Sequence, residues 1–407
     1  MAASLSFCMA TTFYPPYSYG GDAVHVYRLT NALARRGHRV TVVHSMDAYE
    51  LFHPRGPLGD FPNEPGVTVH TLGGNGKLAP VTTYLSGRPG IYASRLKEIF
   101  EEPFDVIHFH NPSLVGGPGV LSYGDGVKLF TLNEYWLVCP MHVLMRYNRA
   151  PCVEPHCLRC SLSFGRPPQL WRYTGLLERS LRNVDLFLSP SRFTLEAHRS
   201  RGFTGRMRQL AHFVPLADGA SEPNAPSPTG ARPYFLYVGR LVKLKGVHTL
   251  IEQFRDYPHA DLVVAGDGNY RHELRRLADG LGNVRFAGQV HGEELRRLYA
   301  GALAVIVPSL AYEAFPVVLL EAFAQGTPVI VRDVGALPEP VEESGGGLVY
   351  RTDEELRDAM NRVRTEPELR AQLAARAHAS WRTRWTEDAH LDGYFAAIDE
   401  ARALAAR

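Results

Sequence analysis

The stretch VPSLAYEAFPVVLLEAFAQGTPVIV, residues 307–331, decides the fold. An apolar, β-branched run ends at Val307, and Pro308 stops it. A loop carries Glu313, Pro316 fits the first position of a helix, and Glu321 lies about a turn and a half inside that helix. A second apolar run, Val329–Val331, follows. Strand, loop, helix and strand in this order form one unit of a parallel sheet. The two acids form an E-x7-E pattern, a spacing that does not place them on one exposed helix face. Glu321 is flanked by Leu319, Leu320, Ala322 and Phe323, where a carboxylate is costly unless something hydrogen-bonds it. A vicinal diol such as a ribose can donate two hydrogen bonds to one carboxylate. The amides of Val317 and Val318 are expected at the helix N-terminus, a place suited to phosphate.

The same alternation extends in both directions. Upstream, strands are expected at Tyr234–Val238, Leu262–Ala265, Val284–Ala287 and Ala304–Val307, with helices beginning near Gly246, Tyr270, Glu293 and Pro316. An earlier series reads as strands at Leu5–Met9, Val40–His44, Val67–Leu72, Asp105–His110, Lys128–Leu132 and Asp185–Ser189. Its first helix, Asp22–Arg36, puts Val26, Leu29, Leu33 and Ala34 on one face and Gly37 just past its end. Between the two series ADGASEPNAPSPTGARP, residues 217–233, has linker chemistry. The organisation expected is α/β, with an acceptor-side Rossmann-like domain at 1–216, a linker at 217–233, and a second Rossmann-like domain at 234–384. A C-terminal helix at 385–407 carries Leu391, Tyr394 and Ile398 as a buried stripe and returns to the first domain.

Composition agrees with this organisation. At roughly 100–200 residues per domain, 407 residues suggest two or three domains. Lys plus Arg number 44 and Asp plus Glu 42, so the formal charge is +2, which argues against a dedicated nucleic-acid binder. No apolar run approaches the ~20 residues that span a bilayer. The first Lys or Arg is Arg28, so no positive n-region of a secretory signal is read, and the cytoplasm is the expected compartment.

Open parallel sheets bind ligands at the carboxyl ends of their strands, so the loops that follow strands are where chemistry is expected. Tyr14–Gly21 contains Gly20-Gly21 just before the first helix, which reads either as an anion cradle or as a turn that needs glycine only for its backbone angles. Gly239–Gly246 (GRLVKLKG) brackets a loop with Arg240 and Lys245, a fork donor and a point charge suited to a diphosphate; taken alone, two such cations also fit a solvated surface. His108 and His110 alternate on one strand and point to the same side. His108 reads as a core histidine and His110, at the strand end, as a functional one.

Together, P-S-x3-E-x-F-P-x4-E-A-x-A-x-G-x-P-V-I, G-R-L-V-x-x-K-G at 239–246, V-V-A-G-D-G at 263–268, G-G-G-L-V at 345–349, Gly20-Gly21 and D-V-I-H-F-H at 105–110 resemble a retaining family 4 glycosyltransferase of the GT-B fold. That resemblance spans both halves and implies two Rossmann-like doubly wound domains facing across a cleft. It implies that Glu321 binds the nucleotide ribose and Glu313 a hydroxyl of the donor sugar. Arg240 and Lys245 then bind the diphosphate and stabilise the departing nucleotide. Phe315, Pro316, Val317 and Val318 face the donor sugar and phosphates, Gly20 and Gly21 form the opposite wall, and His110 contacts the donor sugar near the reacting carbon. No divalent metal is needed for transfer. Ala314 and Pro316 depart from the more usual glycines, which points to a changed donor-sugar contact, and Ala336 stands where a second glycine often follows Gly335. The expected reaction moves a hexosyl-type unit from a nucleotide-diphosphate sugar to a glycan, lipid-linked or small-molecule acceptor by a front-face mechanism. The alternative is a sugar-nucleotide 2-epimerase-like isomerase on the same fold. A noncatalytic sugar-nucleotide-binding module is a third class, against which the complete set Arg240, Lys245, Glu313 and Glu321 argues.

Two features lie outside that resemblance. Cys139, Cys152, Cys157 and Cys160 are spaced C-x12-C-x4-C-x2-C and suit a structural Zn2+ that would fold an otherwise coreless loop at 139–160. Reduced thiols, two disulfides and an iron–sulfur cluster are the alternatives. The stretch Arg166–Arg182 sets Leu170, Trp171, Leu176 and Leu177 among Arg172, Arg179 and Arg182, which reads as a helix packed on the first sheet or as a peripheral membrane contact on the inner face.

Overall fold

The computed structural model describes residues 4–18, 20–52, 59–215 and 232–406. The expected linker at 217–233 lies outside them except for Arg232 and Pro233. The strands are β1 (Ser6–Thr11), β2 (Arg39–Ser45), β3 (Val67–Leu72), β4 (Val106–Asn111), β5 (Val127–Thr131), β6 (Met145–Arg146), β7 (Ala150–Pro151), β8 (Leu186–Ser189), β9 (Met207–Gln209), β10 (Tyr234–Val238), β11 (Asp261–Ala265), β12 (Val284–Gly288), β13 (Val305–Val307), β14 (Val329–Arg332) and β15 (Gly347–Tyr350).

The chain divides into two compact units, one of Met1–Ala211 with Leu391–Arg407, the other of His212–His390. The first holds a sheet of order β3-β2-β1-β4-β5-β8-β9, the second a sheet of order β12-β11-β10-β13-β14-β15, and every pairing in both is parallel. Each contains the 3-2-1-4-5 core of a doubly wound sheet, whose strand order reverses between the first and fourth strands of the series. The reversal falls between β1 and β4 in the first unit and between β10 and β13 in the second. Loops leaving the carboxyl ends of those strands are splayed apart by the helices they feed. The sequence motifs sit there.

Sequence reading located most of the strands to within one or two residues. It passed over β6, β7, β9 and β15, because β6 and β7 are two residues each, β9 is a three-residue edge strand, and β15 follows a glycine run with only Tyr350 of its four residues buried. Pro316 stands one residue before the helix Val317–Ala324 rather than as its first residue. The expected division at 216 and return at 385 also shift, for a packing reason. The Val214 amide donates to the Trp385 carbonyl (3.0 Å) and its carbonyl accepts from the Trp381 indole (3.1 Å), while the Phe213 ring lies 4.7 Å from that of His390. These contacts tie 212–214 into the second unit. From Leu391 onward the helix Glu387–Ala405 buries Leu391, Tyr394, Ala397, Ile398 and Ala401 in the first unit.

Arg166–Arg182 is not one amphipathic helix. It forms a short 3-10 turn, Leu170–Tyr173, and a helix, Leu176–Leu181, with Trp171 and Leu177 buried. Among the described residues no helix is long and apolar enough to cross a membrane.

In the second unit the loops after β10, β11 and β13 meet backbone to backbone. Gly266 has φ +141°, and a Cβ there would lie 1.9 Å from the Gly239 carbonyl oxygen; at Gly246, φ +73°, it would lie 2.0 Å from the Pro308 carbonyl oxygen. No side chain fits either place. Hydrogen bonds from Leu241 N–H to the Asp267 carbonyl (2.9 Å) and from Leu310 N–H to the Leu244 carbonyl (2.8 Å) complete the seams. Gly266→Ala is expected to destabilise the second unit by about 2–4 kcal/mol through backbone strain and overlap, whereas Gly282→Ala, where a Cβ meets nothing within 4 Å, should change stability by about 0.5 kcal/mol or less. Thermal or urea denaturation of the two variants checks this.

Candidate functional site

Lys245 ends the 3-10 turn Lys243–Lys245 in the loop after β10, and Gly246 in its left-handed conformation starts the helix Val247–Phe254. The seam at Pro308 brings this turn against the loop after β13. There the Lys245 Nζ donates to both carboxylate oxygens of Glu313, at 2.7 and 2.8 Å, and the Ser309 hydroxyl donates to Oε1 at 2.6 Å. The pair is half-buried: 27% of the Lys245 side chain and 17% of that of Glu313 are exposed. Burial pulls the Glu313 carboxyl up, but the charge and hydrogen bonds of Lys245, the Ser309 hydroxyl and the charge of Arg240 outweigh it and hold the group below the ordinary carboxylate range. Arg240, on the same loop, is exposed, and its carbonyl accepts from the Tyr237 hydroxyl at 3.0 Å.

Glu321 lies on the helix Val317–Ala324, between Leu319, Leu320, Ala322 and Phe323, all buried. Its costly position is answered by the Tyr299 hydroxyl, which donates to Oε2 at 3.0 Å. At the start of the helix the Val317 amide already donates to the Phe315 carbonyl (3.2 Å), so this amide does not point outward in the state described. The Phe315 ring stands edge-on to that of His212, with centroids 5.3 Å apart.

In the first unit Gly20, with φ +108°, precedes the helix Gly21–Arg35, whose first turn carries Asp22. His110 is buried near the end of β4, its ring centroid 3.9 Å from that of His108 and 6.1 Å from that of His25. His108 Nδ1 is 2.9 Å from the Tyr394 hydroxyl and its Nε2 2.7 Å from the Thr131 hydroxyl, a core histidine that anchors the returning helix.

The structure therefore joins Lys245 to Glu313, which sequence had given separate tasks, and sets Glu321 apart with a partner of its own. Three neighbours escaped sequence reading. Ser309 lay within the quoted motif but looked like a loop filler, Tyr299 is 22 residues from Glu321 with no local signal, and His25 joins the His108/His110 cluster from a helix.

Cys139, Cys152, Cys157 and Cys160 are free thiols lining one small cavity together with His156, Met141 and Met145. The expected structural Zn2+ is not supported by the arrangement of these side chains, because among the described residues no group of three or more His, Cys, Asp or Glu stands ready to hold an ion. Burial first, then the neighbouring thiols, push the Cys152 and Cys157 thiols up.

Two family models match in tandem, "Glycosyltransferase Family 4" over residues 19–218 and "Glycosyl transferases group 1" over 221–380. An uncharacterized glycosyltransferase of Methanocaldococcus jannaschii is 42% identical over 377 residues, covering 84% of each chain. A glycogen synthase of Mycobacterium tuberculosis is 30% identical over 400 residues, covering 91% of this chain and 88% of its own. The chain belongs to the family 4 glycosyltransferases. Its GT-B fold is shared with a sucrose-phosphate synthase from Thermosynechococcus elongatus (TM-score 0.73, 22% identity, 98% of this chain and 99% of that one). It is shared too with Anabaena HepE in complex with UDP and glucose (TM-score 0.67, 17% identity, 97% and 99%).

The depressed Glu313 pKa has a pH signature. A carboxylate whose folded pKa lies below its unfolded value contributes stability that is fully present above the unfolded pKa and is lost as pH falls through the folded one. Wild-type protein should lose stability more steeply below the ordinary carboxylate range than Glu313→Gln, in urea melts at pH 7 and at several lower pH values. Equal acid limbs would contradict the charge assigned to Glu313.

Proposed function

We propose that the chain transfers a hexosyl-type unit from a nucleotide-diphosphate sugar to an acceptor, with retention at the anomeric carbon. The observation that carries this is the Lys245–Glu313–Ser309 cluster at the point where the strand order of the second sheet reverses, with exposed Arg240 on the same loop. A fixed ammonium and a guanidinium there suit the charge that develops on a departing diphosphate. That HepE is described with UDP and glucose bound supports a nucleotide-sugar donor.

In this reading Glu321, oriented by Tyr299, accepts hydrogen bonds from the ribose hydroxyls. Glu313 faces a hydroxyl of the donor sugar while holding Lys245 in place, and Arg240 and Lys245 take the diphosphate. Phe315 to Val318 contribute to the donor pocket; the Val317 amide would turn from the Phe315 carbonyl to the ligand on binding. His110, Gly20 and Gly21 are assigned to the donor sugar from the first unit. With Glu313 already ion-paired and below the usual carboxylate range, we assign it a positioning and electrostatic task. Transfer then proceeds on the front face, the departing phosphate receiving the proton of the acceptor hydroxyl.

Thermal-shift screening against UDP-, GDP-, ADP- and dTDP-sugars identifies the donor, since a nucleotide at 100 times its dissociation constant stabilises by about 2.7 kcal/mol. NMR of the product should then show the donor's anomeric configuration retained. An inverted product, a covalent glycosyl-Glu313 trapped by mass spectrometry, or an epimerised sugar nucleotide formed without acceptor would overturn the reading. Glu321→Ala should weaken nucleotide binding about tenfold to a hundredfold, from the loss of about 1.5–3 kcal/mol of charged hydrogen bonding. Lys245→Ala should lower kcat more than it weakens binding; calorimetry and steady-state kinetics separate the two.

A further inference from the structure

The segment between Cys139 and Ser163 buries Met141, Leu144 and Met145 near its start, but its later part buries little that is apolar besides Cys160. Val153, Leu158 and Leu162 face solvent, and the two-stranded hairpin β6–β7 is only two residues long on each side. Yet four non-glycine residues, His142, Leu144, Tyr147 and Asn148, are held at positive φ within seven positions. Such backbone conformations persist only where the surroundings impose them.

What lies inside the segment is sulfur. Cys139, Cys152, Cys157 and Cys160 come from three stretches of chain and line one cavity of about 10 Å³. Cys157 and Cys160 are three apart on the helix Cys157–Ser163 and so share a face. The Tyr147 amide donates to Cys160 Sγ at 3.3 Å, the kind of hydrogen bond that supports a thiolate. His142 is engaged elsewhere, 2.7 Å from Glu134, and His156, which lines the same cavity, has its Nδ1 3.5 Å from the Tyr147 hydroxyl; the four thiols are the most numerous donors there.

The second observation is a half-buried cation. The Arg172 guanidinium lies over the rings of Trp171 and Trp136, with its carbon 4.7 and 5.8 Å from the ring centroids. It donates to the Gln169 side chain at 2.6 Å and to the Trp136 carbonyl at 2.7 Å, and it is within electrostatic reach of Cys139 and Cys157. No carboxylate is paired with it among the ion pairs of the described residues. Arg146 lines the same cavity, and Arg201 donates to the Cys152 carbonyl at 2.9 Å. Beside four neutral thiols, this half-buried positive charge is met by neutral oxygens and ring faces alone, with no anion among the described residues. Beside a divalent ion held by four thiolates, which carries a net charge of −2, it has one.

We propose that Cys139, Cys152, Cys157 and Cys160 bind a single structural Zn2+, with half-buried Arg172 as its counter-charge. The sulfurs are not preformed around a point, so binding requires them to close on the cavity to the ~2.3 Å of a zinc–thiolate bond, releasing the thiol protons. Four thiolates are the donor set of a closed, tetrahedral structural zinc site. The metal would fix the segment and take no part in glycosyl transfer, so the proposal stands whatever the reaction proves to be.

The test uses the full chain, purified under reducing conditions without added metal. Elemental analysis should find one zinc ion per chain and no stoichiometric iron. Stepwise titration of thiols with p-mercuribenzoate should release zinc to a chromogenic chelator only as those four thiols react. Cys157→Ser and Cys160→Ser should each lose stoichiometric zinc. Substoichiometric zinc with four freely reactive thiols would overturn the proposal, as would iron with acid-labile sulfide, a disulfide among the four, or zinc that dialysis against EDTA removes while the thiols stay unreactive. The wild-type zinc content decides the matter even if the serine variants fail to fold.

Discussion

Three loops of the second unit are held where backbone touches backbone. The Gly266 seam against Gly239 and the Gly246 seam against Pro308 leave no room for a side chain, so the loops after β10, β11 and β13 are fixed to one another before any polar contact is counted. The Lys245–Glu313 ion pair depends on this. A lysine has several rotatable bonds and loses entropy when held, and a half-buried pair is worthwhile only where its geometry is set by the frame. The glycines set the frame, the strands aim it, and the carboxylate, with Ser309 as a second donor, holds the ammonium.

This order of dependence explains why two features that look alike in sequence behave differently. Arg240 and Lys245 bracket one loop and carry the same charge. Lys245 follows a turn pinned by Gly246 and is drawn into the cluster, whereas Arg240 leaves the strand beside Gly239 and stays exposed. Glu313 and Glu321 diverge in the same way. Glu313 meets a cation and is kept ionised against the pull of burial, while Glu321, among apolar helix neighbours, is answered by a neutral hydroxyl. A carboxylate has about four lone-pair sites, so one that holds a lysine or a hydroxyl can still accept from a further hydroxyl.

The first unit follows another logic. Its histidines sit on and beside β4, and His108 is spent on structure, bridging Thr131 and the Tyr394 hydroxyl of the returning helix. That bond stitches the end of the chain to its first sheet. The stripe Leu391, Tyr394, Ile398 was visible as a 3.6-residue period, and its destination was expected only because a C-terminal helix that returns belongs to the resembled fold. The Cys-rich segment carried a spacing signal too, and here the side chains do not match what the spacing suggested. The thiols gather around one cavity without forming a ready site.

The sequence by itself determined the parallel α/β character, most strand positions, the glycines at loop seams and the residue types at the loop ends. It did so because side-chain period and backbone freedom are local properties, written in neighbouring residues. Only the tertiary structure decided who meets whom: Lys245 with Glu313 across 68 positions, Tyr299 with Glu321 across 22, His108 with Tyr394 across 286, and Arg172 with the indole of Trp136. Such pairs depend on which strands become neighbours and how helices pack on them. No local pattern records that, because the energy that selects it comes from burying whole faces at once.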